Sequence, residues 1–154
     1  MSPINYIEKV KAAYSNQPPY RWSSYEDSPW TPLSKPLEKC RVALIGSSGV
    51  YVKSQTPFDA DSKGDISFRE MPKDVPVSEL TIVHRDYDHT DADQDINCIY
   101  PIERFRELEK DKVIGELAPI NYAFCGRIFY RTLLLNEMAP DLVQRLKRSK
   151  VDVG

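Results

Sequence analysis

Two short runs, Val42-Ala43-Leu44-Ile45 and Leu80-Thr81-Ile82-Val83, constrain the fold of this chain more than any other feature. Each is too short for an ordinary helix and each ends in turn or loop chemistry, so both read as strands. The continuous apolar character of the first suits a parallel strand covered on both faces. After the second, Pro101 stands where a first helical residue is favoured, and Ile102, Phe105 and Leu108 recur every three residues along one face. Lys110 and Lys112 suit the C-terminal end of that helix. Strand alternating with helix predicts an α/β fold, a mainly parallel sheet covered by helices in Rossmann-like layers.

Around this frame the reading divides the chain into an N-terminal arm, residues 1–36, and an α/β domain, residues 37–154. A short helix is expected near Ile4 to Tyr14. Residues 15–36 then carry five of the twelve prolines and both tryptophans, and proline fixes φ and removes a donor, so this stretch reads as irregular and extended. Its Trp22, Tyr25 and Trp30 either lie on their own domain or cover a neighbouring subunit. Residues 56–65 read as an exposed turn before an extended piece, Ile66 to Glu70, and Ile114 to Phe124 as a third strand ending near Cys125-Gly126. A last helical region, about Phe129 to Ser149, places Leu135, Met138, Leu142 and Leu146 on one stripe. Pro140 predicts a kink or restart there. Val151-Asp152-Val153-Gly154 reads as the opening of a further strand, so the domain is expected to be incomplete at its C-terminus.

Charge and cysteine content narrow the function classes. Twenty-one basic and 23 acidic residues give a formal charge of −2 with no long basic run, which provides no electrostatic footprint for nucleic acid. Cys40, Cys98 and Cys125 are odd in number and lack CxxC spacing, which indicates neither a disulfide framework nor a zinc site and fits a reducing cytoplasm. No signal-peptide pattern opens the chain, and no apolar run approaches the roughly 18 residues that suggest a membrane span. A cytoplasmic protein without a membrane partner is expected.

Polar chemistry concentrates in one loop. The stretch from His84 to Pro101 holds both histidines and five aspartates, and it leaves the C-terminal end of a strand, where α/β proteins build sites. His84, Asp86, Asp88 and His89 have the ligand types for a divalent metal. No other histidine completes a second set, and an EF-hand starting at Asp91 would need glycine and glutamate where Ile96 and Ile102 stand. Three readings remain open. The carboxylates cap the following helix and bond neighbouring backbone; or the loop contacts a small charged substrate through Asp86, Asp88, Asp95 and Asn97, with His84 or His89 as proton donor; or it binds a metal. Cys98 is either a nucleophile near a helix N-terminus or inert packing. The turn Gly46-Ser47-Ser48-Gly49 presents backbone amides to an anion or is simply tight, and it is expected beside the His84–Asn97 loop because both follow strands taken to be parallel.

At this loop a family resemblance emerges. Asp95-Ile96-Asn97-Cys98, followed by Tyr100-Pro101-Ile102 and Arg104, resembles the selenoprotein B family of glycine, sarcosine, betaine and D-proline reductases. The likeness is greatest to the selenocysteine-bearing subunit of the D-proline branch. It extends through Trp30-Thr31-Pro32, Val42-Ala43-Leu44, Gly49-Val50 with Lys53, Pro57-Phe58, Ser67-Phe68-Arg69-Glu70-Met71-Pro72, Val113-Ile114-Gly115 and Leu117-Ala118-Pro119, covering about residues 30–154. It adds Lys53 to the substrate-binding candidates.

The resemblance implies reductive cleavage of a carbon–nitrogen bond in a small amino-acid-like substrate. It implies a selenocysteine or cysteine as the attacking residue, and a disulfide-type acceptor completing the cycle. It also implies, for the proline enzyme, a pyruvoyl group on a companion subunit. The family's redox pair lies after the strand that would follow Val151-Asp152-Val153, so that role falls on none of Cys40, Cys98 or Cys125. Two function classes result: the N-terminal half of a reductase subunit acting with a companion chain or as a homo-oligomer, or a non-catalytic binding or assembly module that kept the loop.

Overall fold

A computed structural model describes residues 6–13, 15–16, 26–28, 30–85 and 87–154. The chain divides into two compact units, Met1–Pro32 and Leu33–Gly154. In the first, helix α1 (Tyr6–Ala13) forms where a short helix is expected, and its Tyr6, Ile7 and Val10 are exposed. Trp22 and Tyr25 lie outside the described residues, while Trp30 is exposed rather than buried on its own unit.

The second unit contains β1 (Arg41–Val42), β2 (Ile45–Gly46), β3 (Val50–Val52), β4 (Phe68–Pro72), β5 (Leu80–Ile82), α2 (Thr90–Gln94), α3 (Ile102–Lys110), β6 (Glu116–Leu117) and β7 (Ile120–Phe124). Strand β1 pairs in parallel with β6, and β2 in parallel with β7, with Ile45 opposite Tyr122. On the other side of β7, β4 runs antiparallel, with Phe68 opposite Phe124. The α/β class holds, but the pairing is mixed rather than mainly parallel.

The expected orientation of Leu80–Val83 is corrected. Strand β5 does not run beside the Val42–Ile45 segment; it pairs antiparallel with β3, Val50 opposite Ile82. The physical reason is the turn. Gly49 takes φ +76 and starts a strand at once, and that strand captures Leu80–Ile82 as its neighbour.

The expected single strand from Ile114 to Phe124 also divides. Pro119 has no N–H to give a ladder, and the buried Asn121 takes over the local bonding. Its Oδ1 accepts from the Leu44 N–H at 2.8 Å, and its Nδ2 donates to the Ala118 carbonyl at 3.0 Å. Ile114 is a buried core residue rather than a strand residue. The core joins Val42, Leu44, Val50, Met71, Leu80, Ile96, Tyr100, Ile102 and Leu117, with Phe105 and Leu108 of α3 packed against it. Ile102 is fully buried, which contributes about 2 kcal/mol relative to exposure.

Helix α4 (Arg131–Leu133) passes through a π-helical stretch, Leu134–Met138, into α5 (Ala139–Arg148). The expected restart at Pro140 is present: the π stretch ends just before it and places it in the first turn of α5, where its missing N–H costs least. The widened turn also corrects the expected stripe. Met138 is buried and Leu142 and Leu146 are half-buried, but Leu135 is exposed. At the other end of the unit, Val153 bridges Val42 in parallel and its carbonyl accepts from the Ala43 N–H at 2.8 Å, so Val151–Val153 lies along β1. Among the described residues, no helix is long and apolar enough to cross a membrane.

Candidate functional site

The parallel strands β2 and β7 end together at Gly46 and Phe124, and the turns beyond them are held to each other. Gly49 N–H donates to the Phe124 carbonyl at 3.0 Å, Gly126 N–H to the Ser47 carbonyl at 2.9 Å, and Ser48 bridges Cys125. The Gly49 amide is thus engaged within the fold, which supports the tight-turn reading of this segment over an anion cradle. Tyr100 lies against Gly46 so closely that a Cβ there would sit 2.7 Å from the ring.

The acidic loop reaches this same place. Val83 N–H donates to the Gly49 carbonyl at 3.0 Å, and the Tyr87 hydroxyl donates to the Ser48 carbonyl at 2.7 Å. The expected juxtaposition of loop and turn is therefore present, though an antiparallel β3–β5 pair delivers it instead of two parallel strands. The His84 ring lies 4.4 Å from that of Tyr87, and the His89 ring 5.9 Å from it, edge on. Burial, with the Cys125 sulfur and the Asp93 carboxylate nearby, pushes the Tyr87 phenol above its ordinary range and keeps it a donor at neutral pH. Tyr87 and Cys125 are absent from the sequence-derived candidates, and Ser48 entered them only as part of the Gly46–Gly49 turn. The signal for Tyr87 was an aromatic side chain set between two histidines in an otherwise acidic loop.

Two loop carboxylates bond residues just after them, Asp88 in a turn ahead of α2 and Asp95 as the cap of the 3-10 turn that follows. Asp88 accepts from the Thr90 N–H at 3.0 Å and the Thr90 hydroxyl at 2.6 Å ahead of α2. Asp95 accepts from the N–H and Nδ2 of Asn97 at the start of the 3-10 turn Ile96–Cys98. Asn97 in turn accepts from the Glu103 N–H and donates to its carboxylate, which ties the loop to the first turn of α3. The Thr90 bonds hold Asp88, and the Asn97 bonds hold Asp95, below the ordinary carboxylate range. Asp86 lies outside the described residues. Among the described residues, no three His, Cys, Asp or Glu side chains converge to hold a metal ion.

A cleft of about 310 Å³ lies beside α2 and β5, lined among others by Lys53, Ser78, Thr81, Asp93 and Gln94. Lys53 Nζ donates to the Ser78 carbonyl at 2.6 Å. His89 Nδ1 lies 2.8 Å from the Asp93 carboxylate, so one histidine of the loop is linked to the cleft. Opposite charges, Lys53 and Asp93, thus share one opening. A larger groove of about 490 Å³ runs along Lys35, Arg41, Glu116 and Asp152. Those charges pair with each other, Lys35 with Asp152 at 2.7 Å and Arg41 with Glu116 at 2.9 Å, and the groove flanks the starts of the parallel strands rather than the ends where α/β sites are built. The smaller cleft and the adjoining histidine–tyrosine cluster are the better candidate.

The cysteines do not form a redox pair. All three are free; Cys40 and Cys125 are buried, and the Cys40 thiol points at the Pro36 carbonyl. Cys98, whose alternative to a nucleophile was inert packing, is exposed at the end of the 3-10 turn.

Residues 10–153 match the family model for glycine/sarcosine/betaine reductase selenoprotein B. Over 123 residues the chain is 38% identical to D-proline reductase subunit gamma of Acetoanaerobium sticklandii, covering 80% of this chain and 50% of that protein. It is 29% identical over 139 residues to glycine reductase complex component B subunit gamma of Symbiobacterium thermophilum, covering 86% of this chain and 32% of that protein. It is 28% identical over 106 residues to sarcosine reductase complex component B subunit beta of Peptoclostridium acidaminophilum, covering 64% and 23%. The chain thus spans half or less of the length of these curated relatives. No solved structure matches. With a family model covering nearly all of it, the chain belongs to the glycine/sarcosine/betaine reductase selenoprotein B family.

Proposed function

We propose that this chain is the substrate-side part of a cytoplasmic reductase-complex subunit that supports reductive cleavage of a C–N bond in a small amino-acid-like substrate. The carrying observation is its 38% identity to a D-proline reductase subunit across four-fifths of the chain. The cleft chemistry supports it, since Lys53 offers a cation to a carboxylate and Asp93 an anion to an amino group. In this reading His89, bonded to Asp93 of the cleft, is the proton donor rather than His84. Asn97 and Asp95 hold the loop in place, and Asp86 and Asp88 flank it. Cleavage places two electrons and two protons across the bond, giving C–H and N–H, while a thiol or selenol pair outside these 154 residues becomes the disulfide or selenenyl sulfide. A pyruvoyl group, where the substrate needs one, belongs to a companion subunit. The mixed sheet is taken as part of a Rossmann-like layered domain, residues 37–154 with further chain.

The second reading, a non-catalytic binding or assembly module, is favoured by the local bonding of Asp88 to Thr90 and of Asp95 to Asn97, which leaves these carboxylates engaged within the loop. One assay separates the two. Purified chain is tested for D-proline- or glycine-dependent dithiol oxidation with and without the companion subunits and the redox-active portion. No turnover is expected from the chain alone. Turnover is expected from the assembly, with KM raised about tenfold or more by Lys53→Ala. Turnover by the chain alone, abolished by Cys98→Ser or Cys125→Ser, would overturn the proposal and make that cysteine the nucleophile.

A further inference from the structure

Strand β5 keeps one edge free, and the smaller cleft lies along it. In the antiparallel β3–β5 pair the Val83 N–H donates to the Gly49 carbonyl and the Lys53 N–H to the Glu79 carbonyl. The backbone groups of Glu79, Thr81 and Val83 therefore turn toward β3, and those of Leu80 and Ile82 turn away, as antiparallel alternation requires. Among the described residues, β5 pairs with no strand other than β3. The Leu80 N–H bonds back to the Val77 carbonyl. Among the described residues, no hydrogen bond takes up the Ile82 N–H or the carbonyls of Leu80 and Ile82. Leu80, Thr81 and Ile82 line the cleft together with Lys53 and with Asp93 and Gln94 of α2.

We propose that this free edge sets the specificity of the cleft: it selects a zwitterionic amino acid whose ammonium group carries N–H donors and rejects a quaternary ammonium. The inference rests on the reading of the cleft as the substrate site. The Leu80 and Ile82 carbonyls and the Asp93 carboxylate form a set of acceptors that only N–H donors satisfy. A methyl group placed against them takes them out of water and leaves them unpaired, which is costly. The Ile82 N–H suits the ligand carboxylate, as does Lys53, whose ammonium gives one donor to the Ser78 carbonyl and keeps others. Quaternary ammonium groups are held by aromatic faces, and among the described residues no aromatic side chain lines this cleft. Size favours a small molecule over a strand added by a partner. The cleft is about 310 Å³, at the small end of ligand sites, and β5 offers an edge of 3 residues, short of the roughly 5–6 of an ordinary strand.

The test titrates the isotope-labelled chain, and the chain assembled with its companion subunits, with two series of probes. One is glycine, sarcosine, N,N-dimethylglycine and betaine; the other is D-proline with its N-methyl and N,N-dimethyl derivatives. Within the series that binds, affinity is expected to fall about tenfold or more once no N–H remains. The Ile82 amide proton is expected to move on binding of the parent compound. α-Aminoisobutyrate, an isomer of N,N-dimethylglycine that keeps its N–H donors, separates donor loss from bulk and is expected to bind more tightly than that isomer. Quaternary compounds that bind as tightly as their parents would overturn the free-edge inference and leave the cleft as a substrate site. So would parent binding that shifts Lys53 and Gln94 resonances without moving the Ile82 amide. If the parent compounds shift no resonance of the cleft in the chain, and Lys53→Ala leaves their binding to the assembly unchanged, the substrate reading of the cleft falls and this inference with it.

Discussion

The turn Gly46–Gly49 and the loop Asp88–Asn97 are both polar, both follow strands, and differ in where their bonds go. Backbone groups of the turn bond residues distant in sequence: Gly49 to Phe124 and Val83, Ser47 to Gly126, Ser48 to Tyr87. The loop side chains mostly bond residues two to four positions away, as Asp88 does with Thr90, His89 with Asp93 and Asp95 with Asn97. Long-range bonds tie the turn to the cooperative unfolding of the whole unit, whereas local caps stabilise one helical turn each. The carboxylate-rich segment is the more conspicuous, but the glycine-rich one holds the site together.

Substitutions put this contrast to the test. The largest effect is expected from Gly49→Ala, because φ is +76 and a Cβ would fall 2.2 Å from the Val83 carbonyl oxygen. A loss of about 2–4 kcal/mol is expected in denaturant titration; wild-type stability would mean that the turn is not tied to β5. A smaller loss, about 0.5–1.5 kcal/mol, is expected for Tyr87→Phe, which removes the bond to the Ser48 carbonyl. Tyr87→Phe should also raise hydrogen exchange at Gly49 and Val83 more than at Thr90 or Asn97. The reverse pattern would show that the loop folds independently of the turn.

The smallest effects belong to the caps, and they have a pH signature. Asp88 and Asp95 have folded-state values below the ordinary 3.8, so their contribution is fully present above the unfolded value and is lost as pH falls through the folded one. Asp88→Asn and Asp95→Asn should each melt slightly below wild type at neutral pH and converge with it in acid. A difference that persists unchanged into acid would mean that the carboxylate charge is not what stabilises the cap.

Local chemistry was legible in the residues themselves. Asp88-His89-Thr90 and Asp95-Ile96-Asn97 announce turns that cap the helical segments after them, and the spacing of Ile102, Phe105 and Leu108 announces the buried face of α3. Cys125, and the place of Ser48 beside it, could not be found this way, because the two meet through strand pairing across more than 70 residues of chain. Pro140 was recognisable as an obstacle to a regular helix, yet not the π stretch that absorbs it, since that choice depends on what the helix packs against. Lys53 entered only through resemblance, and its place in the cleft depends on the β3–β5 pairing.

The α/β class, helix α3 and the family were readable from the residues alone, and capping by the acidic loop was one of three readings they allowed, because these rest on short-range spacing or on motifs met residue by residue. Tertiary packing was needed to set β5 antiparallel to β3, to bond Asn121 across the interrupted strands, and to seat Tyr87 on Ser48 while Leu135 and Val143 stay exposed. Periodicity reports which face of an element is apolar but not which element will cover it. The partner is settled by competition among surfaces far apart in the chain.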